Sequence, residues 1–100
     1  DIVLLVKRPT TVEEINQILA EEADSSRYRE VVGVTSDPIV SSDIIGDSHA
    51  TVVDLGMTRV VDGDLVKILA WYDNEWGFTS QMVRTAVEIA ETSKSINAVR

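Results

Sequence analysis

The 100-residue chain contains no cysteine. That absence excludes disulfides, thiolate metal sites and a cysteine nucleophile within the segment. It has a single histidine, His49, which gives no zinc pattern. No run of the GxGxxG or Walker type occurs, so the nucleotide-binding half of an α/β enzyme is not in this stretch. The longest apolar run, Ile2-Val3-Leu4-Leu5-Val6, is far too short to span a bilayer. No basic n-region precedes an apolar run, as a secretory signal would require. The start at Asp1, in what reads as mid-strand, gives the expectation of a piece cut from a longer protein. Lysine is also scarce: three of the nine basic residues (Lys7, Lys67, Lys94), the other six being arginine. Against 17 acidic side chains this leaves a formal charge of −8. Such a field repels nucleic acid and anionic membranes, and a lysine-poor acidic surface suits a high-salt cytoplasm.

What is present reads as one small globular unit, with an ordinary hydrophobic fraction of 44%. Asp1 to Val6 reads as a strand buried on both faces, because consecutive Ile, Val and Leu suit a sheet covered on each side. Pro9 ends it. Thr11 with Glu14 forms the pattern of a capping box, opening a helix whose face carries Val12, Ile15, Ile18, Leu19 and Ala23. The polar run Asp24-Ser25-Ser26 ends that helix. Val31 to Thr35 is a short strand, and residues 37 to 50 form a long irregular stretch rich in turn formers. Strands follow at Thr51 to Leu55, Thr58 to Val61 and Leu65 to Tyr72. The last two are joined at Asp62-Gly63, a strong hairpin signal. From about Glu75 to Ser93 the period turns helical, with Phe78, Met82, Ala86 and Ala90 in line and Val83 and Val87 beside them. Ser95 to Arg100 reads as a tail. The order β, α, β, loop, β, β, β, α predicts an α+β class: a mixed, mostly antiparallel sheet with helices on one face.

Several polar clusters invite a chemical reading. A Ser-His-Asp triad could be sought among Ser41, Ser42, Asp43 and His49, but no strained nucleophile elbow is present. Solvated turn residues account for that loop. Asp37, Asp43 and Asp47 share the loop without the spacing of a calcium site. The stretch Tyr72-Asp73-Asn74-Glu75-Trp76-Gly77 stands apart. Asp73 or Asn74 can cap the last helix, and Trp71 and Trp76 can straddle the edge of the core. An asparagine at such a junction also offers a donor and an acceptor to a planar amide ligand.

The run "KILAWYDNEWGFTSQMV", residues 67 to 83, resembles the C-terminal signature of the glyceraldehyde-3-phosphate dehydrogenase family. "RPTTVEEIN" (8 to 16) and "VGVTSDPIVSSDIIGDSHATVVD" (32 to 54) are similar to earlier segments of that family, in the same order. The resemblance covers essentially the whole chain.

It implies that residues 1 to 100 are the C-terminal part of a catalytic domain, ending in a helix that packs on a Rossmann domain outside this segment. The family is phosphorylating and NAD- or NADP-dependent, cytoplasmic and homotetrameric. Its members convert glyceraldehyde 3-phosphate and inorganic phosphate to 1,3-bisphosphoglycerate through a cysteine thiolate assisted by a histidine. By the same resemblance Asn74 matches the asparagine that holds the nicotinamide carboxamide. Phe78 falls where the family commonly has a tyrosine beside that ring, so a ring remains and a hydroxyl is lost. Tyr72 and Glu75 flank the site. His49 does not match the catalytic histidine, which lies upstream together with the cysteine and the phosphate-binding groups. The isolated segment is therefore expected to be inactive. The resemblance also admits erythrose-4-phosphate dehydrogenase, which shares the cofactor asparagine. A different class of protein, a non-catalytic binding or assembly module keeping the same fold remnant, is the remaining alternative.

Overall fold

The computed structural model describes residues 1–99 as six strands and two α-helices. Strand β1 (Ile2–Leu5) leads into helix α1 (Val12–Ala23), then β2 (Val32–Thr35) and β3 (Thr51–Asp54). Strands β4 (Arg59–Val61), β5 (Leu65–Ile68) and β6 (Ala70–Trp71) follow, and helix α2 (Trp76–Val99) closes the chain. The α+β class expected from the sequence is what the chain adopts. Its strands are divided between two three-stranded sheets, β1-β5-β4 and β2-β3-β6. The first is antiparallel throughout; in the second, β2 runs parallel to β3 and β6 antiparallel to it.

The run from Leu65 to Tyr72, read as one strand, is broken at Leu69. Its first half pairs with β1 and β4, its second half with β3. The carbonyl of Leu69 accepts a hydrogen bond from the Asp54 amide (2.9 Å) at the break. One apolar run thus feeds two sheets, the kind of corner a strand makes when it switches layers. The hairpin before it forms as expected. Asp62 and Gly63 both take positive φ (53° and 82°), a conformation glycine accepts without steric cost. The Thr10 amide donates to the Gly63 carbonyl at 2.7 Å, tying the hairpin tip to the chain leaving β1.

Thr11 caps α1, its hydroxyl accepting from the Glu14 amide at 3.1 Å. The reciprocal half of the capping box is not made, because Arg8 takes the Glu14 carboxylate instead. Asn16 donates to the Leu55 carbonyl at 2.9 Å, and α1 packs against β2. Val12, Ile15, Leu19 and Ala23 are half-buried, while Ile18 on the same face is exposed.

The core is small: Ile44, Val52, Val53 and Val66 are its buried apolar side chains among the described residues. Three sequence expectations need correction. β1 is not covered on both faces; it is an edge strand, and Leu5 is 76% exposed. The stretch 37 to 50 is not wholly irregular, since Ser41–Ile44 form a 3-10 turn in which the Asp43 carboxylate accepts from the Val40 amide (2.8 Å). The expected tail from Ser95 continues α2 to Val99, and Arg100 lies outside the described residues. The radius of gyration, 16.7 Å, exceeds the roughly 13 Å usual for a compact 100-residue domain.

Candidate functional site

The corner between β6 and α2 is built around Asp73. Its Oδ1 accepts hydrogen bonds from the amides of Glu75 (2.9 Å) and Trp76 (2.7 Å), capping α2. Its Oδ2 accepts from the Gly46 amide at 2.9 Å, across to the loop that follows the 3-10 turn. Of the two possible caps, Asp73 is the one used. The Gly46 amide first, then that of Trp76, hold the Asp73 carboxyl below its ordinary value; desolvation opposes them, and the Glu75 amide adds a smaller lowering.

The loop on the far side of this contact is itself well fixed. Asp47 Oδ1 accepts from the His49 amide (2.9 Å) and meets His49 Nδ1 at 2.8 Å, while His49 Nε2 lies 3.1 Å from the Arg29 carbonyl. Both ring nitrogens therefore face acceptors, and the ring is a strut rather than a solvated turn residue. Ser41 and Ser42 line a different recess from His49, so neither is brought to it as a triad would require. Gln81, in the second turn of α2, donates to the carbonyls of Glu30 (2.9 Å) and Ser48 (3.0 Å). Gly77 is buried directly against the His49 carbonyl.

On this frame Asn74 is exposed, and among the described residues no hydrogen bond engages its carboxamide. It lines two recesses, with Tyr72 and Asp73 also common to both. One recess, about 260 Å³, brings Asn74 together with Phe78, Ala50 and Gln81. The other adds Ser41, Ser42, Ile45 and Glu75. Phe78 is 70% exposed in the first turn of α2, and the two expected cofactor residues line one concavity. A free amide beside an apolar ring fits one edge of a planar carboxamide-bearing heterocycle. Trp71 is half-buried and donates from Nε1 to the buried Asp54 carboxylate at 3.1 Å. Trp76 stays exposed, so only one of the two tryptophans touches the core edge in the expected way. Among the described residues, no three His, Asp or Glu side chains gather as metal ligands.

Sequence reading missed three of the residues that hold the corner. Gly46, Gly77 and Gln81 act through long-range contacts, and their spacing carries no local signal of them. Asp73 was visible only as one of two caps.

The family profile described as "Glyceraldehyde 3-phosphate dehydrogenase, C-terminal domain" matches residues 1–74. The chain is 45% identical over 92 residues to the glyceraldehyde-3-phosphate dehydrogenase of Zymomonas mobilis subsp. mobilis, covering 92% of this chain and 27% of that protein. It is 44% identical over 85 residues to the Thermotoga maritima glyceraldehyde-3-phosphate dehydrogenase, covering 85% and 25% respectively. With glyceraldehyde-3-phosphate dehydrogenase 3 of Nostoc sp. it shares 44% identity over 94 residues, 94% and 28% respectively. The fold and these matches define an α+β segment of a dehydrogenase C-terminal domain. The chain belongs to the glyceraldehyde-3-phosphate dehydrogenase family. It spans about a quarter of the length of the curated relatives it matches.

Proposed function

We propose that the chain is the C-terminal part of a phosphorylating, NAD(P)-dependent glyceraldehyde-3-phosphate dehydrogenase, cytoplasmic and homotetrameric when whole. The complete enzyme converts glyceraldehyde 3-phosphate, inorganic phosphate and NAD(P)+ to 1,3-bisphosphoglycerate. The observation that carries this reading is the corner itself, where an exposed, unengaged Asn74 shares a recess with Phe78 on a rigid frame.

The nicotinamide, when bound, supplies the hydride acceptor. Asn74 orients it, because its carboxamide can donate to and accept from a second planar amide at once. Phe78 offers an apolar flank without a hydroxyl. Neither residue performs chemistry on the substrate, and the nucleophile and base belong to other parts of the enzyme. In this reading the apolar stripe of α2 packs on the nucleotide-binding domain. Met82 and Ile89 are 56% and 62% exposed here and, with Phe78, line a shallow groove of about 450 Å³. An elongated chain with a small core and a bare apolar helix face is what a segment of a larger fold looks like.

The test is an assay of the full-length enzyme with glyceraldehyde 3-phosphate and NAD+ or NADP+, with and without inorganic phosphate. Cofactor reduction that requires phosphate is the expected result. Phosphate-independent oxidation, or a preference for erythrose 4-phosphate, would contradict the proposal.

A further inference from the structure

We infer that Asp73 is a positioning residue for the cofactor: by clasping Gly46 to the start of α2 it sets the direction in which Asn74 presents its carboxamide. The inference rests on the assignment of Asn74 to the nicotinamide.

Asn74 has no side-chain hydrogen bond among the described residues, so its direction is inherited from the backbone around it. Asp73 controls that backbone on both sides. Oδ1 holds the amides of Glu75 and Trp76, the two residues after Asn74. Oδ2 holds the Gly46 amide, which lies 27 positions earlier in the chain. A helix cap alone needs one acceptor oxygen, and serine, threonine or asparagine serve as well as aspartate. Accepting from N–H donors in two directions needs a carboxylate. An amide in its place would turn an NH2 group toward the Gly46 N–H.

The clasp is useful only if the loop it grips is rigid, and this loop is. Gly46 follows the 3-10 turn in a positive-φ conformation (84°), and the next amide, Asp47, donates to the Ile44 carbonyl at 3.0 Å. Asp47 and His49 brace the loop against the Arg29 carbonyl. Beyond the clasp, α2 meets the same loop twice more, at Gly77 against His49 and at Gln81 against Ser48. Asn74 is thus carried at the end of a helix registered against loop 46–49 at three points.

The experiment uses the full-length enzyme with Asp73→Asn and Asp73→Ser, each alone and combined with Asn74→Ala. Both substitutions keep a helix cap and lose the reach to Gly46. The readouts are the KM values for cofactor, aldehyde and phosphate. We expect Asp73→Asn to raise the cofactor KM about tenfold, the size of one charge-assisted hydrogen bond. The aldehyde and phosphate KM values should hold. In the Asn74→Ala background the same change should add nothing, since residues acting as one unit are non-additive. An unchanged cofactor KM in Asp73→Asn overturns the inference, as does an equal penalty in both backgrounds. If Asp73→Asn does not yield folded enzyme, Asp73→Ser carries the same comparison. An Asn74→Ala enzyme with wild-type cofactor kinetics would instead remove the Asn74 assignment, and this inference with it.

Discussion

Gly77 and the His49 carbonyl are in backbone-to-backbone contact: a Cβ built on Gly77 would stand 2.6 Å from that oxygen. Within a helix, glycine is ordinarily the poorer choice by about 0.5–1 kcal/mol relative to alanine. Here the order reverses, because the atom in the way is backbone and cannot rotate aside. Gly77→Ala is expected to destabilise the full-length enzyme by about 1–3 kcal/mol, the usual penalty of overpacking. Denaturant unfolding measures it. Unchanged or increased stability would mean that the loop yields freely.

The carboxyl of Asp73 gives a pH prediction. Its folded-state value is lowered, chiefly by the Gly46 amide. A carboxyl depressed on folding contributes stability that is fully present above its unfolded value and is lost as pH falls through the folded one. The window therefore opens near the ordinary aspartate value of about 4 and extends downward. Stability profiles of the wild type and Asp73→Asn should converge as pH falls through that window. A gap that stays constant from neutral pH into strong acid contradicts the clasp as a charged one.

Much of this fold was legible from the sequence, for local reasons. The Asp62-Gly63 turn needs two positive φ angles, and the Thr11 cap needs one hydroxyl at one position. What was hidden depends on contacts far along the chain. The bar of apolar residues in β1 predicts burial, yet the strand is at an edge. The unbroken run from Leu65 to Tyr72 gives no sign that it crosses between sheets at Leu69. Asn74 and Phe78 are expected at the site through resemblance rather than pattern. The loop that holds Asn74 in place was read as solvated turn, because hydrogen bonds to backbone carbonyls and amides leave no periodicity.

Asp54 is buried, 5% exposed, and its carboxylate accepts from Trp71 Nε1. Trp71→Phe keeps most of the ring but removes that donor. A buried acceptor left unpaired costs about 1–3 kcal/mol. Thermal unfolding of the full-length variant should show a loss of that order; a wild-type midpoint would mean that Asp54 finds another partner.

The isolated 100 residues should not behave as an independent enzyme or a well-behaved module. The apolar stripe of α2 is open, with Phe78, Met82, Val83 and Val87 all at least half exposed. Contiguous apolar surface of this kind drives association. Light scattering should show self-association, and calorimetry should show no saturable binding of NAD at millimolar concentration. A dispersed monomer with a clear isotherm would contradict the need for a covering domain.

Whether Asn74 orients the nicotinamide is decided by the cofactor Kd of the full-length enzyme carrying Asn74→Ala. The expected loss is about 1–3 kcal/mol, from leaving the cofactor's carboxamide unpaired, or roughly 5- to 150-fold in affinity. A variant that binds its cofactor as tightly as the wild type would contradict the claim.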